Sequence, residues 1–165
     1  MKVIHLMRHA KSSWQDSGLS DHDRELNDRG FRDAPRMGRA LGELLTPQPI
    51  HCSSAVRAQQ TLEGLCEGWP AVALQQHAVD DALYTFDHQD LLTWIQGLQS
   101  DSDECFLLGH NPGLTDLCNQ LVGRVALDNL PTAGYLQLDL PVSAWSDVTD
   151  GIATLTEWQF PRDLS

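Results

Sequence analysis

The stretch Lys2–His9, KVIHLMRH, decides how this chain folds. Its apolar run predicts the first strand of a sheet, and an arginine and a histidine end it. Two later segments repeat this arrangement, because Arg57 follows one short apolar run and His110 follows another. In an open α/β sheet, ligands bind at the carboxyl ends of parallel strands. The sequence therefore predicts that two arginines and two histidines meet at one edge and form an anion-binding pocket.

Short apolar runs alternate with helix-like stretches along the chain, which favours βαβ units and a mainly parallel sheet. Strands are predicted at residues 2–7, 50–53, 72–74, 104–108, 135–140 and 152–157. Helices are predicted after the capping residue Asn27 and over residues 55–67, 91–98 and 113–121, the last opened by Asn111 as N-cap and Pro112. The first helix is expected to bury a stripe formed by Phe31, Met37, Leu41, Leu44 and Leu45. Residues 1–165 fit one domain, since about 100–200 residues per domain is usual.

The charge balance excludes several classes of partner. Eleven Lys and Arg residues face 23 Asp and Glu residues, and the net charge of −12 repels nucleic acid and anionic membranes. No apolar run approaches the roughly 20 residues that span a bilayer, and the N-terminal run is too short for a secretory signal. The four cysteines have neither a C-x-x-C pair nor metal-like spacing, so we expect free thiols and a cytoplasmic protein.

The residue types at the three strand ends suit phosphoryl transfer. The transferred group is anionic, and guanidinium forks and helix N-termini bind such groups. A histidine nucleophile must be unprotonated near neutral pH, and nearby arginines lower the pKa of an imidazole by disfavouring the imidazolium. Taken singly, His110 also fits a tight turn, and Arg57 also fits an exposed helical charge. Their combination with Arg8 and His9 indicates a catalytic site.

A set of ordered motifs extends these residues into a family pattern. The stretch Arg8–Trp14 (RHAKSSW) resembles the R-H-x signature of the histidine phosphatase superfamily, and more narrowly its short SixA-like branch of phosphohistidine phosphatases. The resemblance continues through Asp23–Gly30 (DRELNDRG), Ser53–Thr61 (SSAVRAQQT), Gly109–Leu114 (GHNPGL), Leu130–Gly134 (LPTAG) and Pro161–Leu164 (PRDL). It implies a three-layer α/β/α sandwich of the phosphoglycerate-mutase type, in a compact version without a large lid.

The resemblance implies specific roles for four residues. His9 is the nucleophile that becomes transiently phosphorylated. Arg8 and Arg57 hold the phosphoryl oxygens, and His110 stabilises the charge in transit. The implied reaction uses no metal and no other cofactor.

Arg24 and Ser13 are further candidates for binding substrate. Arg24 matches an additional arginine of the SixA-like branch, and it equally fits a solvated loop charge. Ser13, or its neighbour Ser12, is placed to hydrogen-bond near the site, although loop serines are commonly no more than polar surface. Both readings of these residues stay open at the level of sequence.

No strong motif identifies a general acid. Asp80 and Asp81 are the candidates for protonating a leaving oxygen, and both equally fit a turn before a helix. A phosphohistidine needs little help, because its P–N bond is labile and its imidazole leaves without becoming a strongly basic alkoxide. The short chain also leaves few residues for a lid, so we expect an open pocket that accepts a phosphorylated side chain of another protein.

Four functions compete at this stage. The first is a metal-independent phosphatase that acts on a phosphohistidine protein through phospho-His9. The second is a broad small-molecule phosphomonoesterase with Asp81 as its general acid. The third is a phosphate-binding module without catalysis, and the fourth is a metal hydrolase that uses His5, His9 and His110. The oligomeric state has no sequence signal.

Overall fold

The computed structural model describes residues 1–164, and Ser165 of the predicted domain lies outside this range. Six strands, numbered along the chain, form one sheet: β1 (Lys2–Arg8), β2 (Ile50–Ser53), β3 (Ala78–Asp80), β4 (Glu104–Gly109), β5 (Tyr135–Leu140) and β6 (Thr154–Gln159). Their order across the sheet is β3-β2-β4-β1-β5-β6. The neighbours within β3, β2, β4 and β1 pair in parallel, whereas β5 and β6 are antiparallel to their neighbours. The sheet is therefore mainly parallel, with its direction reversed at one side.

Most predicted strands and helices are present, with small shifts at their ends. The helices are α1 (Asp28–Leu44), α2 (Val56–Gly68), α3 (Pro70–Ala73), α4 (His88–Gln96) and α5 (Gly113–Val122). Short 3₁₀ turns cover Asp81–Leu83, Trp145–Asp147 and Pro161–Asp163.

The two faces of the sheet carry separate hydrophobic cores, because side chains alternate along each strand. Ile4 and Leu6 of β1 pack towards α4 and α5, while Met7 packs on the other face with residues of α1 and α2. Helices therefore cover both faces, and the predicted three-layer α/β/α fold is confirmed.

Helix α1 begins as the sequence predicts. The Asn27 side chain accepts a hydrogen bond from the Gly30 backbone N–H at 2.9 Å, which satisfies one of the free donors of the first turn. The buried stripe differs from the predicted one. Met37 and Leu41 are buried with Ala34, whereas Phe31 and Leu44 are substantially exposed. Small residues on this face let α1 approach α2 closely, so bulky side chains are not required there.

Two predicted elements are wrong in detail. Residues 72–74 were predicted as a strand, but they lie in and just after α3, where Pro70 occupies the first helical turn. The third strand is instead Ala78–Asp80 at the sheet edge. Helix α5 begins at Gly113 as predicted, but Pro112 rather than Asn111 is at the cap position. Asn111 still satisfies the helix start, since its side-chain oxygen accepts from the Thr115 N–H at 3.0 Å.

Candidate active site

The two histidines are brought together by the sheet itself. Strands β1 and β4 are parallel neighbours in a register that pairs Arg8 with Gly109. The next residues along the two strands, His9 and His110, therefore leave the sheet side by side. Neighbouring strands lie about 4.8 Å apart, and the two imidazole centroids lie 5.1 Å apart. Strand pairing thus sets the separation of the two rings.

His9 is buried and neutral, with its Nε2 unprotonated. Its Nδ1 donates to the Ala10 carbonyl at 2.7 Å, which leaves the lone pair on Nε2. The Arg57 Nε–H donates to that Nε2 at 3.3 Å. Burial holds the pKa of His9 well below its usual range, and the neighbouring His110 and the charges of Arg57 and Arg8 act in the same direction. A neutral imidazole with an unprotonated Nε2 is the form that can attack phosphorus.

Arg57 is fully buried in the first turn of α2. Its Nη1 donates to the Asp21 carbonyl at 2.6 Å, and its Nη2 donates to the Asp21 carboxylate at 3.1 Å. The same Nη2 lies 3.4 Å from Nδ1 of His110. The guanidinium group therefore contacts both histidines and one carboxylate. It is placed to bind an oxyanion attached to His9.

A threonine ties the nucleophile segment to α2. The Thr61 hydroxyl accepts from the Ala10 N–H at 2.9 Å and donates to the Arg57 carbonyl at 2.8 Å. Thr61 is fully buried, so both bonds are shielded from water. Ala10, the residue after His9, is thereby hydrogen-bonded to α2 one helical turn after Arg57.

His110 is oriented by Ser53 at the end of β2. Its Nδ1 faces the Arg57 guanidinium, which can only donate, so a neutral His110 carries its proton on Nε2. That Nε2–H donates to Ser53 Oγ at 2.7 Å. Burial lowers the pKa of His110 to about 3, and the Arg57 charge adds to the effect. The His110 ring centroid lies 5.1 Å from that of His9 and 5.4 Å from that of Phe86.

A cavity of about 260 Å³ opens in front of His9. The residues that line it are Arg8, His9, Lys11, Ser12, Trp14, Asp21, Arg24, Arg57, Phe86, Asn111 and Thr132. Arg8 donates from Nη1 to the Leu130 carbonyl at 3.1 Å. Its buried Nε has no hydrogen-bond partner within residues 1–164. An unpaired guanidinium N–H beside the nucleophile offers a donor to an anion oxygen.

Asp21 is a residue of this site that the sequence analysis missed. Its carboxylate accepts from the Tyr84 hydroxyl at 2.5 Å and also contacts Arg57 and Arg24. Partial burial raises the pKa of Asp21, but hydrogen bonds from Tyr84 and Arg57 outweigh burial and lower the pKa to about 2. Asp21 is therefore an ionised carboxylate at neutral pH. It lies in the long loop between β1 and α1, where no strand-end pattern points to it.

The structure places Arg24 in the cavity and Ser13 beside it. Arg24 is buried, and its Nη1 donates to Ser12 Oγ at 2.8 Å and to the Ser13 carbonyl at 3.2 Å. Its guanidinium carbon lies 3.5 Å from the centroid of the Trp14 ring. Ser12 lines the cavity, whereas Ser13 Oγ accepts from the Gln15 N–H within the loop. The backbone of Ser13, rather than its hydroxyl, supports the site.

Neither acid candidate lines the cavity. Asp80 caps the turn at Ala82 and accepts from the Trp94 indole N–H at 3.0 Å. Asp81 is exposed on that turn. His5 is also separate from the cavity, because its ring nitrogens contact Tyr135 and Glu104, each at 2.7 Å.

Residues 1–164 contain neither a cluster of metal-ligating side chains nor a helix that could span a membrane. No three His, Cys, Asp or Glu side chains in this part of the chain form a group that could hold a metal ion. The helices it contains are all too short or too polar to cross a membrane.

Comparisons with known proteins agree with this geometry. Residues 4–90 match the histidine phosphatase superfamily (branch 1). The uncharacterized protein Rv1276c of Mycobacterium tuberculosis (strain ATCC 25618 / H37Rv) is 31% identical over 94% of this chain and 100% of its own length. A candidate phosphohistidine phosphatase SixA from Agrobacterium tumefaciens is 25% identical with a TM-score of 0.80, over 97% and 98% of the two chains. The protein histidine phosphatase SixA complexed with tungstate is 21% identical with a TM-score of 0.77, over 98% of both chains.

Fold and site together define an α/β protein in which a buried histidine and three arginine side chains line one cavity at the carboxyl ends of parallel strands. The chain belongs to the histidine phosphatase superfamily, and it shares the compact fold of the SixA structures. Membership in this superfamily supports phosphatase activity.

Proposed function

We propose that the chain is a metal-independent phosphatase that hydrolyses phosphohistidine on a protein substrate through a phospho-His9 intermediate. One observation carries the proposal: a neutral His9 lines a cavity together with three arginine side chains, Arg8, Arg24 and Arg57. Guanidinium groups bind phosphoryl oxygens through paired N–H donors. The similarity to SixA structures supports the same choice of substrate.

In the first step, Nε2 of His9 attacks phosphorus. An Nε2–P bond forms as the P–N bond of the substrate breaks, and the bonding electron pair goes to the substrate imidazole. We propose that Arg8 and Arg57 hold the phosphoryl oxygens and stabilise the charge that develops on them. Arg24 assists them from the cavity wall, and His110, whose ring lies 5.1 Å from that of His9, stabilises the charge in transit.

In the second step, a water oxygen attacks the phosphorus of phospho-His9. An O–P bond forms, the Nε2–P bond breaks, and its electron pair returns to Nε2. One proton of the attacking water moves to a phosphate oxygen, and inorganic phosphate leaves the cavity. The low pKa of His9 makes the unprotonated imidazole available again without a further change of pH.

The carboxylate in the cavity favours a leaving group that needs no proton from the protein. Asp21 is the one carboxylate that lines the cavity in the part of the chain that the structure describes. With a pKa of about 2, it is ionised at neutral pH and cannot serve as a general acid. A phosphoimidazole suits such a site because its P–N bond is labile. An alkyl phosphate suits it less well.

The physiological substrate is proposed to be a phosphorylated protein, and the proposed location is the cytoplasm. The cavity is open to the surface, as a side chain presented by another protein requires. The four cysteines are free thiols, which is usual for proteins of a reducing compartment.

Trapping of the phosphoenzyme tests this function. A protein phosphorylated on histidine is mixed with wild type, His9→Asn and Asp81→Asn, and acid-labile phosphate on the enzyme is measured after rapid quenching. We expect the phosphoenzyme with wild type and Asp81→Asn but not with His9→Asn. Labelling of His9→Asn would contradict the role of His9. If wild type instead hydrolyses an alkyl phosphate faster, and Asp81→Asn abolishes that activity, the phosphomonoesterase alternative holds.

A further inference from the structure

Two aromatic side chains at the mouth of the catalytic cavity have no role in the reaction described above. Trp14 is 74% exposed and Phe86 is 44% exposed, yet both line the cavity that contains His9. Large exposed apolar side chains beside a binding cavity commonly mark a contact with ligand. The two rings belong to different segments, since Trp14 lies in the loop after β1 and Phe86 precedes α4.

Both rings are held in place by neighbouring side chains. The Arg24 guanidinium stacks over Trp14 at 3.5 Å from the ring centroid, so it occupies one face of the indole. The high exposure of Trp14 leaves the other face open. Phe86 packs against Tyr84 and His110 with centroid separations of 5.7 Å and 5.4 Å. Rings fixed in this way lose little conformational freedom when a ligand binds.

We propose that Trp14 and Phe86 form a subsite that stacks on a planar, aromatic leaving group of the substrate. The proposal rests on the proposed phosphatase function and narrows its substrate class. Phosphoryl groups carried on a ring, such as phosphoimidazoles and aryl phosphates, are preferred over those carried on an alkyl chain. An aromatic ring stacks on other rings in offset or edge-to-face geometry, which an alkyl chain cannot do.

The two ends of the substrate thus meet different surfaces of one cavity. The phosphoryl oxygens contact guanidinium groups at its base, and the ring contacts the aromatic mouth. Stacking is present before and during the reaction, so it contributes to KM and leaves kcat unchanged. A loss of guanidinium contacts, by contrast, affects every phosphoryl donor alike.

Two small donors test the subsite with matched chemistry. Phosphoramidate and N-phosphoimidazole both carry a labile P–N bond, but only the second carries a ring. For Trp14→Ala and Phe86→Ala, we expect KM for N-phosphoimidazole to rise about threefold to tenfold, with kcat unchanged. KM for phosphoramidate stays at the wild-type value. Trp14→Tyr and Phe86→Tyr keep a ring and restore KM.

Trp158→Ala is the matched control, because Trp158 is 54% exposed and lines a different cavity. If Trp14→Ala changed KM equally for both donors, Trp14 would act by holding Arg24 in position rather than by stacking on the leaving group. That result would overturn the proposed subsite. Unchanged KM for N-phosphoimidazole in both alanine variants would also overturn it.

A binding measurement separates this proposal from the proposed function. Calorimetry with phenylphosphonate and methylphosphonate requires no turnover. We expect Trp14→Ala and Phe86→Ala to weaken phenylphosphonate binding and to leave methylphosphonate binding unchanged. If neither phosphoramidate nor N-phosphoimidazole phosphorylates His9 in wild type, the proposed phosphatase function fails, whether or not the ring-dependent affinity for phenylphosphonate is observed. If both donors react but phenylphosphonate shows no ring-dependent affinity, the subsite alone fails.

Discussion

The Nε–H of Arg57 donates to Nε2 of His9 across 3.3 Å, so the free site already pairs the nucleophile with a guanidinium group. Both side chains are buried, and Nε2 must be unprotonated to accept this bond. In the proposed mechanism, phosphorus approaches Nε2 along the lone pair that this N–H occupies in the free site. Arg57 therefore gives up the contact as the Nε2–P bond forms, and its N–H comes to lie next to the phosphoryl oxygens.

Replacing Arg57 by lysine tests this contact. Lysine keeps the positive charge but has neither the Nε–H at this position nor the fork that contacts Asp21 and His110. We expect Arg57→Lys to slow phosphoenzyme formation by roughly a hundredfold, as for loss of a preorganised donor to a developing oxyanion. Rapid-quench trapping gives the rate, and circular dichroism checks that the variant is folded. A rate close to that of wild type would show that charge alone is sufficient.

Asp21→Asn should strengthen oxyanion binding. The ionised carboxylate shares Arg57 and Arg24 with the ligand and repels its negative charge. We expect the dissociation constant for tungstate, measured by calorimetry, to fall about fivefold. The measurement is made at low salt because surface charges are screened as ionic strength rises. Asp81→Asn is the control with unchanged affinity. Weaker binding in Asp21→Asn would mean that the hold of Asp21 on Arg57 outweighs the repulsion.

Ser53→Ala should impair catalysis through His110. Ser53 Oγ accepts the Nε2–H of His110 and so holds the ring with its Nδ1 towards Arg57. Groups that orient a catalytic imidazole typically account for 10- to 100-fold in activity, and we expect a loss of about tenfold in kcat. Ser54→Ala provides the control, since Ser54 contacts His22 instead. Equal kcat values for Ser53→Ala and Ser54→Ala would show that Ser53 does not position His110 for catalysis.

The stability of the fold should decline in acid because of His110. Its pKa is about 3 in the folded state against 6.5 for an ordinary histidine. The unfolded chain therefore binds the proton more readily, and stability is lost as pH falls from about 6.5 towards 3, by up to roughly 1.4 kcal/mol per pH unit. Urea unfolding of wild type and His110→Gln at several pH values measures this. A smaller loss in His110→Gln is expected, and equal losses would contradict it.

Thr61→Val should destabilise the protein by roughly 1–3 kcal/mol, because it leaves the buried Ala10 N–H without a partner. Valine has nearly the same shape, so packing changes little. Thr61→Ser retains the hydroxyl and should keep most of the stability. Urea unfolding compares the three proteins. A Thr61→Val midpoint equal to that of wild type would mean that the Ala10 N–H finds another acceptor.

Sequence reasoning located the residues whose position follows from strand order. His9 and His110 end neighbouring strands, and Arg57 begins the helix after a third strand, so their proximity is a property of the sheet. Asp21 and Tyr84 could not be found in this way. Asp21 reaches the site because a long loop folds back onto α2, where the Val56 N–H donates to the His22 carbonyl at 3.0 Å.

The elements that the sequence missed are those with weak local patterns. Strand β3 is a sheet edge in which Ala78 and Val79 are exposed, so no buried alternation identifies it. Val72 looked like part of a strand, but Pro70 opens a helical turn there and buries Val72 in the core. Phe31 is apolar but exposed, so including it among the buried residues of α1 predicted the wrong buried face for this helix. In each case, tertiary packing overrides the local signal.

The Thr61 hydroxyl joins Ala10 to the Arg57 carbonyl, so the reacting nitrogen and its guanidinium partner belong to a single rigid unit of strand end and helix. The cavity side chains Trp14, Asp21 and Arg24 belong instead to the loop between β1 and α1, and Phe86 precedes α4. In the proposed function, the strand end and α2 set the position of the nucleophile, whereas the rings of Trp14 and Phe86 select what enters the cavity. Substitutions at these two rings are therefore expected to change which phosphorylated molecules bind while the unit of His9 and Arg57 is retained.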